Sequence, residues 1–407
     1  MKQICDDDKC TGCSTCANIC GKYAIAMCPD KGGFIHPVID DNRCIGCGLC
    51  DKVCPANHEP EGHEHKAVYA AFVKDEAERA KSTSGGVFAC LAQLVLKDGG
   101  YIYGAVMDED WIVRHIEAVD ENGLDRIRNS KYVQSEVGLC YQQVKKRLEE
   151  GKKVLFSGTP CQVAGLRNYL KFEPDNLLTV DILCHGVPSP EMFKRYVSAE
   201  EARAGSRMKQ MQFRSKIVGW KKIFTVRIFE PNNEADWGDT FVPGFLKDLY
   251  LRESCYQCPY ASDKRQGDIT LGDFWGYLER FPEYIEDDDK GISLVIVNTD
   301  KGAASLRKIK RKLVIAHRTM EDAKGGNPIL SRPNIKPQVY DDFWNDAKTM
   351  SWDMLSRKYI PEQDVTDWMS VEQRNYYAQA FKKRYWKHWA YAFLRSIYHK
   401  FRGFIKR

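Results

Sequence analysis

The sequence has no run of about 18 uncharged apolar residues, so nothing in it reads as a membrane-spanning helix. Its first eight residues, Met1 to Asp8, are polar and acidic and lack the apolar stretch of a secretory signal. A net charge of only +5 over 407 residues gives no global argument for nucleic acid as a partner. His58, His63 and His65 lie in a polar stretch without apolar patterning, so they read as a solvated connector rather than a metal site. What is plentiful is cysteine, at 16 residues. In a small secreted domain that number would mean disulfides. In a long chain without a signal it means thiols kept reduced, and the expectation is a cytoplasmic protein.

Eight of those cysteines fall into two copies of one spacing. Cys10, Cys13, Cys16 and Cys20 read C-x2-C-x2-C-x3-C, and Cys44, Cys47, Cys50 and Cys54 repeat it with Pro55 behind. This is the ligand spacing of two 4Fe-4S clusters, in which the fourth cysteine of each run crosses to the other cluster. Cys10, Cys13, Cys16 and Cys54 are therefore expected around one cluster, and Cys44, Cys47, Cys50 and Cys20 around the other. Zinc sites pair two C-x2-C knuckles on one ion and need no third cysteine at the same spacing. The first run departs from the pattern in one respect: Gly21, not proline, follows Cys20. Cys5 and Cys28 are left as spare thiols. The chemistry implied is one-electron transfer.

The length accommodates two or three domains, and the apolar content of 43% supports real cores. The expected organisation is a bacterial-type ferredoxin-like domain over residues 1–57, a polar linker over 58–66, an α/β (α+β, mixed-sheet) catalytic domain over 67–338, and a helical basic aromatic tail over 339–407. Within the third segment, Val68 to Val73, Tyr101 to Met107, Trp111 to Val119, Val154 to Phe156 and Leu177 to Leu183 read as strands. Met208 to Arg214 and Phe224 to Phe229 add two more, and Ser293 to Val297 is expected to close the core. Val137, Cys140, Val144 and Leu148 recur at helical spacing. From Phe381 to Arg407 there is no acid. Tyr385, Trp389, Phe393, Ile397 and Phe401 share one helical side, opposite Arg384, Lys387, Arg395, Arg402 and Lys406. Such a helix can rest on a membrane surface or dock on protein.

A second cysteine group follows. Cys161 and Cys184 each sit just past a strand end, and Cys255 and Cys258 form a C-x2-C run. Loops after the strands of an α/β sheet meet along one edge, so these four could share a third 4Fe-4S cluster. A zinc site, a reactive thiol at Cys161 and four unrelated thiols all remain open on spacing alone. Clusters pass single electrons, and a flavin is the usual converter to two-electron chemistry. Ser82, Thr83, Ser84, Gly85 and Gly86 precede a helix and could hold a diphosphate on its N-terminus. Lys131, Tyr132, Gln134 and Ser135 set a cation and an aromatic ahead of another helix. An ordinary turn and an exposed loop are the competing readings.

Five ordered motifs bear on those alternatives: Lys81 to Gly86, Lys131 to Ser135, Phe156 to Gln162, Cys184 to Gly186, and Cys255 to Cys258 with Gly267 to Phe274. Together they resemble the beta-subunit family of coenzyme F420 hydrogenases and dehydrogenases, over roughly Cys5 to Pro328. The resemblance implies an oxidoreductase that binds FAD and 4Fe-4S clusters. It implies that Ser82 to Gly86, Lys131, Tyr132, Gln134 and Ser135 lie on FAD. Ser157, Gly158, Thr159 and Gln162 would border flavin and cluster, and Cys161, Cys184, Cys255 and Cys258 would hold the third cluster. Asp268 and Asp273 match as well, without a clear role. Cys161 and His185 are the candidate catalytic groups.

The fused ferredoxin unit and the basic tail depart from the family pattern. They suggest a self-contained enzyme fed by a soluble carrier, ferredoxin or coenzyme F420. Stand-alone relatives suggest a small-molecule or glycan-precursor substrate in surface-polysaccharide metabolism. An electron-transfer adaptor without its own substrate site is the alternative, and a structural zinc protein the third.

Overall fold

β-branched and aromatic runs alternate with helices between residues 67 and 318, and the strands assemble into one nine-stranded mixed sheet. The structure is a computed structural model that describes residues 3–217, 219–230, 234–237, 239–281 and 288–360. The first two strands, β1 (Ile25–Pro29) and β2 (Ile35–Ile39), form an antiparallel hairpin of their own. The large sheet takes β3 (Ala67–Val73), β4 (Tyr101–Met107), β5 (Val113–Ala118), β6 (Ser135–Glu136), β7 (Val154–Gly158) and β8 (Leu177–Ile182). A separate three-stranded sheet holds β9 (Met208–Gln212), β10 (Val226–Phe229) and β11 (Glu234–Trp237). The large sheet is completed by β12 (Ile269–Asp273), β13 (Ser293–Val297) and β14 (Leu313–Arg318), in the order β14-β3-β13-β12-β8-β7-β4-β5-β6.

The centre of that sheet is parallel: β4 with β7, β7 with β8, and β8 with β12. Strands buried on both faces read as nearly continuous apolar runs, and β7, β8 and β13 do so. The expected strand Ser293–Val297 forms and is buried throughout. It lies between β12 and β3, antiparallel to both, and the edge belongs to Leu313–Arg318. Because β3 enters from the amino-terminal connector, it can be flanked on both sides by strands from far along the chain.

One core lies under the sheet around Leu91, Ile102, Leu155, Val180 and Ile269. A second, aromatic core joins Phe193, Tyr196, Phe213, Phe241, Tyr250 and Trp352. It buries the helix Trp352–Tyr359, so the first part of the expected tail packs against the domain. The amphipathic stretch from Tyr385 to Lys406 lies outside the described residues. Among the described residues, no helix is long and apolar enough to cross a membrane.

The connector is fastened along its way. His63 and Arg265 exchange both backbone hydrogen bonds, Gln266 donates to the Pro60 carbonyl, and Lys66 donates from its backbone to Val297.

Candidate functional site: three thiol cages in contact

The two amino-terminal cysteine runs fold as copies of one loop. Gly12 and Gly46 both have positive φ, as do Ser14 and Gly48 two residues later. Each loop then enters a short helix, Thr15–Ile19 or Leu49–Lys52, and the fourth cysteine of the run follows that helix. At Gly12 the left-handed backbone is doubly required, since a Cβ there would meet Gln134 Nε2 at 2.5 Å and the Ile35 carbonyl at 2.9 Å.

Cys10, Cys13, Cys16 and Cys54 surround one small cavity, walled by Ile4, Met27 and Pro37. All four are buried. Cys54 therefore stands with the first run, across from its own. Cys20 and Cys47 both lie close enough to Cys50 to act on its thiol, after burial the main influences that raise it. Cys47 is exposed to solvent, whereas Cys20, Cys44 and Cys50 are half-buried. The first cage is thus internal and the second reaches the surface.

Cys5 is not spare in position. It lines the first cavity. Its thiol hydrogen-bonds Cys10 and Cys54, which raises the Cys5 pKa and holds Cys10 down to about 4. No spacing rule flags it.

The sheet brings together two members of the third group. Cys161 sits in the first turn of the helix Pro160–Leu170, directly after β7. Cys184 follows β8, and Cys255 and Cys258 lie on and just after the short 3-10 helix Glu253–Gln257. All four thiols line one cavity with Thr11, Arg252 and Tyr260. Burial pushes Cys161 and Cys255 up to about 12, and Cys184 is raised well above its ordinary value by burial and by the other three thiols. Burial of this kind disfavours a free thiolate. Four thiolates here need a cation to stabilise them. Among the described residues, no three His, Cys, Asp or Glu side chains converge tightly enough for a single metal ion. The four thiols ring one cavity.

The first and third cages adjoin. Thr11 of the first loop lines the third cavity, and Cys13 is among the thiols that raise Cys161. Three side chains clamp this junction. The Ile35 amide donates to Gln134 Oε1 at 2.9 Å. Asn18 Nδ2 donates to the Gly138 carbonyl at 2.7 Å, and Gln142 Nε2 donates to the Asn18 carbonyl at 2.7 Å.

A one-directional hydrogen-bond chain supports Cys161. Buried His115 donates from Nε2 to the Ser157 carbonyl at 3.1 Å, which leaves Nδ1 to accept from Ser135 Oγ at 3.1 Å. Ser135 Oγ accepts from Gln162 Nε2, and Gln162 Oε1 accepts the Thr159 amide, both at 2.9 Å. Only a neutral imidazole fits this chain, and burial holds the His115 pKa down to about 4. Thr159 Oγ1 then lies 3.1 Å from Cys161 Sγ.

The loops expected on FAD are partly committed to the fold. Lys131 Nζ donates to the Arg126, Ile127 and Arg128 carbonyls at 3.0, 2.6 and 2.8 Å. An ammonium has three protons, and all three close the C-terminus of the helix Glu121–Ile127. Burial pulls the Lys131 pKa down to about 7, while three carbonyls at a helix C-terminus favour the cation. Lys131 is thus a helix cap with no donor left for a phosphate. Gln134 and Ser135 serve the junction and the His115 chain. Tyr132 packs on Phe213 and Phe245.

In the first loop, Gly85 is pressed against β3 and β13. A Cβ there would meet the Ala71 carbonyl at 2.3 Å. Ser82 Oγ donates to the Glu78 carbonyl, and Thr83 Oγ1 accepts the Ser130 amide, so the two loops touch. Ser84 Oγ is buried without a partner, and the helix Val87–Lys97 behind Gly86 has no side-chain cap.

His185 Nε2 lies 2.8 Å from Asp248 Oδ1, although the two are not aligned as a hydrogen bond. Its ring stands edge-on to Phe245, and its carbonyl accepts Asn334 Nδ2. Asp268 accepts from Thr179 and Thr299, tying β8 and the helix Asp300–Ile309 to β12. Asp273 pairs with Arg214 and accepts the Trp220 indole proton. Both aspartates hold the scaffold.

Residues 151–323 match the family model for the C terminus of the coenzyme F420 hydrogenase/dehydrogenase beta subunit. Residues 9–58 and 36–93 match 4Fe-4S dicluster domains. No curated protein matches the chain. Among solved structures it is similar to a chain of the F420-reducing NiFe hydrogenase complex from Methanosarcina barkeri. The identity is 19%, over 67% of this chain and 88% of that chain, with a TM-score of 0.46. Behind a 4Fe-4S dicluster domain, the chain carries a domain of the coenzyme F420 hydrogenase/dehydrogenase beta-subunit family.

Proposed function

We propose that the chain is a flavin-dependent iron–sulfur oxidoreductase with three 4Fe-4S clusters in series. Cys44, Cys47, Cys50 and Cys20 hold the surface cluster, Cys10, Cys13, Cys16 and Cys54 the internal one, and Cys161, Cys184, Cys255 and Cys258 the third. The observation that carries this reading is the contact between the first and third cages, Cys13 beside Cys161, with Cys47 exposed at the far end. A wire needs one cage open to a carrier: Cys47 of the second cage is exposed, Cys10, Cys13, Cys16 and Cys54 of the first are buried, and the four cysteines of the third are half-buried.

Bound clusters and FAD would supply one-electron relay and its conversion to two-electron chemistry. What the chain supplies is position. Ser84 Oγ and the uncapped amides of the helix Val87–Lys97 offer donors to a diphosphate. Tyr132 and Phe245 offer an aromatic wall on the side of His185. A soluble carrier, ferredoxin or coenzyme F420, meets the second cage, and the substrate is a small molecule taken up beside the flavin.

Replacing Cys184 by Ser should remove about four irons per chain, since losing one thiolate usually destabilises its site. It should leave the two amino-terminal clusters in place. Unchanged iron would exclude the third cluster. FAD is tested separately, by the flavin released when anaerobically purified protein is denatured.

A further inference from the structure

Arg252 is 2% exposed, yet no carboxylate pairs with it among the described residues. Its Nε donates to the Cys10 carbonyl at 2.6 Å. Its Nη2 lies 3.0 Å from His36 Nε2, a ring that offers at most a neutral acceptor and never a counter-charge. Its Nη1 is buried without a partner. That nitrogen lies at the first cysteine loop, 3.1 Å from where a Cβ on Gly12 would stand. On its other side the residue is bound to the third group. Its amide donates to the Val187 carbonyl, its own carbonyl accepts the Cys255 amide, and the residue lines the third cavity.

A buried guanidinium without an anion is strongly unfavourable, and buried charges in proteins are paired or sit beside metal centres. The groups on either side of Arg252 that become anionic are the cysteines of the first and third cages. A cation held between two clusters favours the more negative, reduced state of each, because charge and hydrogen bonding near the sulfurs set the reduction potential.

We propose that Arg252 is the shared counter-charge of the first and third clusters, setting both potentials together while leaving the second, surface cluster unaffected. The inference rests on the three-cluster reading. It makes Arg252 a positioning residue: it carries no electron and touches no substrate, but it keeps the two inner clusters matched for transfer.

The test is a potentiometric titration of the full-length holoprotein followed by electron paramagnetic resonance, for wild type, Arg252→Gln and Arg252→Lys. The third cluster is identified by the signal that Cys184→Ser removes. Iron is counted first. About eight irons in the wild type would overturn the three-cluster reading itself, whereas about twelve leave Arg252 as the only question.

Arg252→Gln should then make the one-electron reduction of the first and third clusters about tenfold less favourable, a drop of about 59 mV, with the second cluster unmoved. Arg252→Lys keeps the charge and should hold both inner potentials within half of that drop. Unchanged inner potentials in Arg252→Gln, a shift in only one of them, or an equal shift in all three would overturn the proposal. Should Arg252→Gln fail to hold iron, Arg252→Lys decides, and a full tenfold drop there refutes the counter-charge role.

Discussion

Gly165 lies so close to Thr15 that a Cβ on it would come within 2.4 Å of the Thr15 hydroxyl. The Tyr141 hydroxyl and Cys13 Cβ stand at 3.1 and 3.2 Å from the same point. The helix that carries Cys161 therefore rests directly on the first cysteine loop, and Thr15 is wholly buried with no room to retreat.

Gly165→Val should force the helix Pro160–Leu170 off that loop. Overpacking of this kind costs about 1–3 kcal/mol, which thermal denaturation of the anaerobic protein reads directly. Because the displaced helix holds Cys161, electron transfer from the first to the third cluster should also slow, as seen in rapid-mixing reduction. Wild-type stability and rate in this variant would mean that the two cages are not in contact.

The His115 chain makes stability depend on pH. The imidazole is held neutral, with its pKa lowered to about 4 by burial, against about 6.5 in an unfolded chain. Below pH 6.5 the unfolded state binds the extra proton, so stability falls as pH falls toward 4 and is complete above 6.5. The full contribution is roughly 3 kcal/mol. Melting temperatures of wild type and His115→Phe between pH 4.5 and 7 should show the steeper acid loss in wild type. Parallel profiles would mean that His115 is charged or exposed.

Lys131 distinguishes a helix cap from a flavin contact. Lys131→Met should lower stability by about 1 kcal/mol, the usual size of a cation at a helix C-terminus. Flavin per chain should not change. Loss of flavin with an unmoved melting temperature would restore the phosphate-contact role.

The cages are legible in the sequence to different degrees. The amino-terminal runs are readable because consecutive ligands around a cubane demand short fixed spacing. Cys184 is not fixed in the same way. Its neighbours Cys161 and Cys255 are 23 and 71 residues away in the chain; the parallel pairing of β7 and β8 brings up Cys161, and the bridge between Pro188 and Leu251 brings up Cys255. Cys5 looks spare in the sequence because its contacts with Cys10 and Cys54 come from the fold of the loop.

Among the strands, β3 and β13 stand out as apolar runs. The place of β13 inside the sheet does not, since pairing order leaves no local trace. Gln134 and Lys131 read as a ligand loop only through the family resemblance, since residue type alone fits an exposed loop as well. Their partners, the Ile35 amide and the Arg126 to Arg128 carbonyls, are backbone groups that no sequence pattern announces.

The whole account depends on cubane iron in all three thiol cages. Iron and acid-labile sulfide, counted per chain in full-length protein purified without oxygen, test this most directly. About twelve of each is the predicted result. About eight irons with zinc in the third cage would contradict the three-cluster wire, and a colourless protein without sulfide would contradict the redox function altogether.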